Sequence, residues 1–398
     1  MMLGLLLARA GVDTVVLEKH ADFLRDFRGD TIHPSTLEVM HELGLLDEFL
    51  KLPHQKITRL SAAFGDETLN FADMTHLPTR CKFIALMPQW DFLNFIAAEG
   101  KRYPTFKLMM RAEATGMIEE QGRVAGVAAS TADGPVEIRA CLTVGADGRH
   151  STLREKSGFK VDELGAPMDV LWFHLSRQAG DSDQIMGRFG AGSLFVMLNR
   201  GDYWQCGFVI AKGSIAKVHA RGLPAFRRAI AELAPFMANR VDEIADWDQV
   251  KLLTVAVDRL PVWHKPGLLL IGDAAHAMSP IGGVGINLAI QDAVAAANIL
   301  WSPLAEDRLE EAHLADVQKR REFPTRFIQR VQVVMQRNII TPALDDGAAP
   351  SPPGIVRLIA SIPLFRRIPA RLFGMGIRLE HVLSPVSAPR AGATRQLE

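Results

Sequence analysis

The chain has 398 residues, 48% of them hydrophobic, which suits two or three lobes around a large buried core. Lysine plus arginine and aspartate plus glutamate stand at 45 each, leaving no net field that would draw the chain to nucleic acid or an anionic membrane. The three cysteines, Cys81, Cys141 and Cys206, lack the paired spacing of a metal or redox site, and their odd number argues against a disulfide framework and for a reducing, cytoplasmic compartment.

The chain opens on "MMLGLLLARAGVDTVVLEKH". Met2 to Ala10 read as a small-residue apolar helix stopped by Gly11, and Thr14 to Leu17 as a β-branched strand with Glu18 at its edge. No basic region precedes the apolar run and no cleavage site follows, so a signal peptide is not expected. No run of uncharged apolar residues reaches the length of a spanning helix. A helix is predicted over Pro34 to Glu42, with Thr31 as a cap, Pro34 in the first turn and Gly44 as the stop. Residues 57 to 85 alternate weakly and read as strands of a second lobe. "QWDFLNFIAAEG", from Gln89, is an amphipathic helix, and short strands follow from Lys107 to Val144.

The middle of the chain changes style. "DVLWFHLS", "SLFVMLNRGDYWQCGFVIA" and "KLLTVAVDRL" are strand-like, with a hairpin turn at Gly201-Asp202, and predict an antiparallel sheet. "GLLLIGDAAHAMSPIGGVGINLAIQDAVAAANIL" then returns to a buried strand, a loop and an Ala-rich helix. "DDGAAPSPPG" reads as a linker. Arginines punctuate the apolar segment 355–383, but Pro363 and Pro369 break it into short pieces. Helices packed on the chain's own core are therefore expected in preference to a basic amphipathic membrane contact.

Four stretches carry chemistry together, although each alone has a bland reading. Glu18, with Lys19 beside it, ends a strand where a carboxylate can take the hydroxyls of a ribose. Asp147-Gly148 in "TVGADGR" follows a strand, and the glycine permits close backbone approach to a diphosphate; a lone Asp-Gly is more often a turn. Gly272-Asp273 emerges at the end of a strand with no polar face, where doubly wound sheets bind ligands. "SPIGGVGINLAIQDA" starts a helix with exposed N–H groups and the positive end of its dipole. Its glycines do not form the dinucleotide fingerprint, since Leu288 stands where a third glycine belongs.

With these residues the sequence resembles the class A flavoprotein monooxygenases, the aromatic-hydroxylase family typified by para-hydroxybenzoate hydroxylase, from Met1 to about residue 340. "GLLLIGDAAHAMSPIGGVGINLAIQDA" is similar to the family's GD motif and flavin-binding helix start. "GADGRHSTLR" is similar to its DG motif, and "FRGDTIHPSTLEVMHELGL" to its arginine loop. The resemblance implies an α/β fold: a Rossmann-like FAD-binding domain in three parts (1–56, 81–160, 263–345) interleaved with an antiparallel-sheet substrate domain (57–80 and 161–262). A linker and C-terminal helical segment (346–398) completes the chain. It implies FAD contacts at Glu18, Lys19, Arg28, Gln89, Asp147, Gly148, Gly272, Asp273, Pro280, Gly283, Gly285, Ile286 and Asn287, with the last four holding the flavin's pyrimidine edge through backbone groups. Ser35 departs from the family pattern, where many relatives carry a second arginine.

The implied reaction uses NAD(P)H to reduce FAD and O2 to form a flavin C4a-hydroperoxide, whose distal oxygen passes to an electron-rich, phenol-like ring. Pro280 would lie beside the flavin, and His174, with a pKa near neutrality, could assist phenol deprotonation. Val170, Trp172 and His174 alternate on one strand face; Phe195, Met197, Tyr203 and Gln205 are further pocket candidates. The expected partners are a small aromatic substrate and O2, with no metal and no nucleic acid, and a homo-oligomer stays open. Two other readings remain: a prenyl-chain flavin reductase on the same scaffold, or a flavin-free regulatory descendant.

The dinucleotide fingerprint sets its acidic residue about 20 positions after its glycine loop begins, which counts back from Glu18 to before Met1. The first strand and glycine-rich loop are therefore expected to have been cut by a misplaced start, with true degeneration as the alternative.

Overall fold

Helix α1 (Met2–Arg9) buries Leu5, Leu6 and Leu7, and Gly11, at φ +87°, turns the chain out of it. The computed structural model describes residues 1–24, 31–181, 187–190, 192–345 and 351–387. Strand β1 (Thr14–Glu18) follows, then β2 (Thr31–Ile32) and α2 (Pro34–Glu42). Proline at the first helical turn and Gly44 at φ +71° bound α2, but its cap is not Thr31. His33 holds the cap position, and Thr31 instead donates its hydroxyl to the Gly283 carbonyl at 3.0 Å.

After α3 (Leu46–Phe49) come β3 (Gln55–Ile57), β4 (Arg59–Phe64), β5 (Glu67–Asp73) and β6 (Ile84–Leu86). A small sheet runs β2-β6-β3, whereas β4 and β5 leave it for a larger sheet. Helix α4 (Gln89–Gly100) leads to β7 (Phe106–Met110), which pairs in parallel with β1. Strands β8 (Glu113–Glu120), β9 (Arg123–Thr131) and β10 (Gly134–Arg139) form an antiparallel meander, and β11 (Thr143–Gly145) follows. Ser151 caps α5 (Thr152–Ser157), its hydroxyl accepting from the Arg154 amide at 2.9 Å.

A two-residue β12 (Asp162–Glu163) precedes the second lobe: β13 (Met168–Ser176), β14 (Gly187–Gly190), β15 (Ser193–Asn199), β16 (Tyr203–Ala211) and β17 (Lys251–Leu253). With β4 and β5 they form one seven-stranded sheet, ordered β17-β13-β16-β15-β14-β4-β5. Period-two alternation gives this sheet two apolar faces. Leu171, Phe173 and Leu175 pack with Phe226 and Ile230 of α7 (Leu223–Leu233), which follows the short α6 (Ile215–Arg221). The opposite face turns towards the first lobe.

The chain returns through β18 (Asp258–Arg259), β19 (His264–Lys265) and β20 (Leu268–Leu270), and β20 pairs in parallel with β11. Leu268, Leu269 and Leu270 are each 0% exposed, worth about 2 kcal/mol apiece in buried side chain. Helix α8 (Gly285–Ala305) has the length and composition of a membrane-crossing helix; here it is mostly buried, packed between α1 and α9 (Glu311–Met335). Helix α9 widens into a π-helical turn over Gln336–Ile340 before α10 (Thr341–Ala343). Last come α11 (Gly354–Ser361) and α12 (Arg367–Gly374). Residues 384–387 run back to α1, where the Arg9 guanidinium donates to the Ser384 carbonyl at 2.8 Å.

The α/β fold with an interleaved antiparallel sheet and C-terminal helices is therefore the one expected. In the first lobe the parallel pairs β1-β7 and β11-β20 stand in separate sheets, the second extended by the antiparallel β19. The C-terminal helices meet the expectation of core packing only on one side: Ala360, Ala370, Phe373 and Gly374 are buried, while several large aliphatic side chains face outward.

Candidate active site

Strand β20 delivers Gly272 and Asp273 to one end of the parallel strands. Gly272 takes φ +59°, and its amide donates to Asp292 Oδ2 at 3.1 Å. Arg149, in the turn after β11, pairs through Nε with Asp273 Oδ2 at 3.2 Å, both half-buried. A Cβ on Gly285 would stand 3.9 Å from Asp273 Oδ1. The two strand-end motifs and the start of α8 thus meet in one place.

The α8 terminus is built to be open. Its cap residue Val284 supplies no side-chain hydrogen bond, and a helix leaves its first N–H groups without intrahelical partners. Gly282 and Gly283 enter the helix at φ +78° and +63°. At Gly283 a Cβ would strike Thr31 Oγ1 at 2.3 Å, so only glycine lets these segments touch. The side chain of Asn287 is spent on this junction: Nδ2 donates to the Thr31 and Gly283 carbonyls at 3.2 and 3.1 Å, and Oδ1 accepts from the His33 amide and the Thr36 hydroxyl at 2.9 and 2.7 Å. Only the backbone of Asn287, with that of Gly285 and Ile286, is left to face a ligand.

The remaining sequence candidates are placed as follows. Asp147 turns its carboxylate inward on its own segment, accepting from the Ser151 hydroxyl at 2.5 Å and the Leu153 amide at 3.3 Å, while Gly148, at φ +84°, has open space where a Cβ would be. Glu18 closes β1 and accepts from the His20 amide at 2.9 Å; Lys19 lies 3.8 Å from Glu113. Gln89 begins α4, two residues before Asp91, whose carboxyl is pushed up by burial against the pull of Arg200. Arg28 lies outside the described residues.

Pro280 sits in the loop between Asp273 and α8, and this loop is held from behind by three glutamines of α9 and its π-helical turn. Gln329 Nε2 donates to the Asp258 and Ala277 carbonyls at 2.7 and 3.1 Å, Gln332 grips Ser279 and Ile281 on either side of Pro280, and Gln336 Nε2 donates to Ser279 Oγ at 3.0 Å. The sequence reading missed this set. Its signal is visible in "QRVQVVMQ", where glutamines at 329, 332 and 336 recur at helical spacing on one face.

A second missed group lies beneath Gly272. Asp292 accepts from His276 Nε2 at 2.6 Å and Arg321 Nε at 2.9 Å, all three fully buried, and Glu380 lies 3.3 Å from Arg321. Burial works against the Asp292 carboxylate, but His276 and Arg321 more than offset it and hold the group below its ordinary range.

The seven-stranded sheet presents Trp172 towards the Pro280 loop. Trp172, Val196 and Ile281 pack around one apolar cluster with Val170 and Val209, and Trp172 lies across Gly207, where a Cβ would come within 3.1 Å of its ring. Its buried Nε1–H has no acceptor among the described residues. His174 shares that strand face but is exposed at the sheet's end, its ring 4.6 Å from Tyr203. Phe195 and Met197 do not line this face: both are buried on the opposite side among Phe173, Phe208 and Phe226. The alternation that places Trp172 inward sends Phe195 and Met197 outward, because β15 and β16 pair Phe195 with Phe208.

These residues suit a flavin dinucleotide. An uncapped helix terminus entered through glycines offers N–H groups and dipole charge to an anionic edge or phosphate. Arg149 keeps a buried Nη1 with no partner among the described residues beside Asp273, as a group reserved for a ligand would. The fold and site therefore define an FAD-binding oxidoreductase. The protein-family profile described as "FAD binding domain" matches residues 1–331, and the chain belongs to that family of FAD-dependent aromatic monooxygenases. It is 30% identical over 372 residues to 6-methylpretetramide 4-monooxygenase of Streptomyces rimosus, covering 93% of this chain and 88% of that protein. Among solved structures it resembles PqsL, a probable FAD-dependent monooxygenase of Pseudomonas aeruginosa, at TM-score 0.72 and 22% identity over 86% of this chain and 93% of that one. It also resembles p-nitrophenol 4-monooxygenase PnpA of Pseudomonas putida DLL-E4, at TM-score 0.72 and 19% identity over 92% and 90% of the two chains. The chain is an FAD-dependent monooxygenase by family.

Proposed function

We propose that the protein hydroxylates a phenol-like aromatic small molecule, consuming O2 and NAD(P)H. One oxygen atom enters the ring and the other leaves as water, while NAD(P)H gives up a hydride. The open, glycine-entered N-terminus of α8 facing the Asp273–Arg149 pair carries this reading. FAD bound there would supply the electron transfer and oxygen activation that no side chain can.

The chain's own residues supply position and shielding. Asp273 and Arg149 would bind the polar body of FAD, and the first N–H groups of α8 would face its anionic edge. The Pro280 loop, fixed by Gln329, Gln332 and Gln336, forms one wall of the reaction space. Trp172, Val196 and Ile281 form an apolar wall that would exclude water. The 30%-identical relative, a 6-methylpretetramide 4-monooxygenase, supports an aromatic small molecule as the substrate class.

The test is a panel of phenols with the FAD-loaded protein, following NAD(P)H oxidation and product mass under labelled O2. Substrate-stimulated oxidation with one labelled oxygen in the ring is expected. Saturation of an unsaturated side chain without oxygen incorporation would replace this reading with a reductase.

A further inference from the structure

The chain as a whole is electrically balanced, but its charges are not evenly spread. Residues 351–379 contain five arginines, Arg357, Arg366, Arg367, Arg371 and Arg378, and no aspartate or glutamate. In the same segment α11 turns Ile355 and Leu358 outward, and Ile362 continues that stripe one turn on. Leu364, in the connection, and Ile368, on α12, extend it; Ile355 is 60% and Ile368 65% exposed. Arg367 and Arg371, one turn apart on α12, are exposed beside Ile368. The inner faces of both helices are anchored: α12 buries Ala370 and Phe373, and α11 packs on β5.

We infer that this apolar and basic surface docks on an anionic lipid bilayer. Large aliphatic side chains projecting from anchored helices, beside the exposed Arg367 and Arg371, match the interfacial layer of such a membrane in both hydrophobicity and charge, although Arg357 is paired with Glu67 of β5 at 2.7 Å. A second copy of the chain fits less well. An isologous contact would set Arg367 and Arg371 against their own counterparts in a drying interface. The position is also favourable, since Phe373 on the inner side of α12 packs against Gly282 of the Pro280 loop and accepts from His33 Nδ1 at 2.7 Å. Docking would set these helices between the lipid and the site. The inference does not depend on which aromatic the enzyme oxidises.

The experiment is co-sedimentation of the full chain with vesicles of phosphatidylcholine alone or mixed with phosphatidylglycerol, at low and high salt. Binding to the phosphatidylglycerol vesicles, weakened by salt, is expected. Ile355→Ser/Leu364→Ser/Ile368→Ser should abolish it. Arg367→Glu/Arg371→Glu should lower the partition coefficient at least about tenfold, since each basic residue near such a surface is worth about fivefold. Both variants alter exposed side chains and should keep the wild-type circular dichroism and flavin spectrum. Wild-type protein that stays in the supernatant, or variants that pellet as it does, would overturn the inference. So would light scattering that finds a dimer dissolved by the triple variant while vesicles bind neither form.

Discussion

Gln332 holds Ser279 by both ends of its amide: Nε2 donates to the Ser279 carbonyl at 2.9 Å, and Oε1 accepts from the Ser279 amide at 3.1 Å. The same Nε2 donates to Ile281 at 3.0 Å, so one buried side chain spans Pro280. Gln332→Leu would leave three loop groups unsatisfied at a cost of about 3 kcal/mol, measurable by urea denaturation. In the folded fraction, FAD titrated by fluorescence should bind about tenfold more weakly, a loss of about 1.4 kcal/mol. Gln329→Leu is the control. It releases the Asp258 and Ala277 carbonyls but leaves both flanks of Pro280 held, and should lower stability while weakening FAD less than Gln332→Leu does.

Asp273 separates ligand binding from folding. Its pair with Arg149 is partly solvated, at 31% and 25% side-chain exposure, so Asp273→Ala should change stability by less than about 1 kcal/mol. Removing its carboxylate from the meeting point of β20 and α8 should weaken FAD by about tenfold or more, on the scale of a lost charged hydrogen bond. Isothermal titration and thermal melting of the apo-protein would resolve the two effects. Equal affinity in the variant would show that Asp273 does not touch the cofactor.

Asp292 is the opposite case. Asp292→Ala would leave Arg321 Nε and His276 Nε2 without their carboxylate in a dry interior, with Glu380 remaining on Arg321 Nη1, and would free the Gly272 amide. A loss of 3 kcal/mol or more, roughly that of breaking a buried ion pair, is expected. The soluble yield and the urea midpoint should both fall.

His33 predicts a pH dependence. Fully buried, it is pushed down to about 4 from its ordinary 6.5, against the pull of its hydrogen bond to the Phe373 carbonyl. The unfolded chain therefore protonates His33 first as pH falls. Its contribution to stability is intact above pH 6.5 and is lost between 6.5 and about 4, approaching about 3 kcal/mol. His33→Asn keeps a donor for Phe373 without the titration. Urea midpoints measured across that range should fall less steeply in the variant than in the wild type.

What was legible in the sequence had local causes. Leu268 to Ile271, with no polar face, could only be a buried strand, and the residues after it could only emerge at its end. Proline at position 34 and glycines at 11 and 44 bounded their helices for reasons internal to each segment. Thr31 failed as a cap because its hydroxyl answers to Gly283, some 250 positions away, and nothing in its neighbourhood records that. Phe195 and Met197 failed as pocket residues because alternation gives two faces without saying which one a helix will cover. The glutamines of α9 were written at helical spacing, but their meaning depends on a loop from another part of the chain.

The bond between the tail and α1 bears on how the protein is made. The Ser387 amide and hydroxyl donate to the Arg9 carbonyl at 2.6 and 2.9 Å, joining residues 378 positions apart. Helix α1 also rests on α8 and α4, and β4 and β5 must wait for β14 before their sheet can close. Helix α1 therefore leaves the ribosome ahead of every element that holds it, and is among the last to be secured. Such long closures make folding slow and leave the nascent chain with unpaired strand edges while synthesis continues. Chaperone demand during translation, rather than low stability afterwards, is the cost this topology imposes.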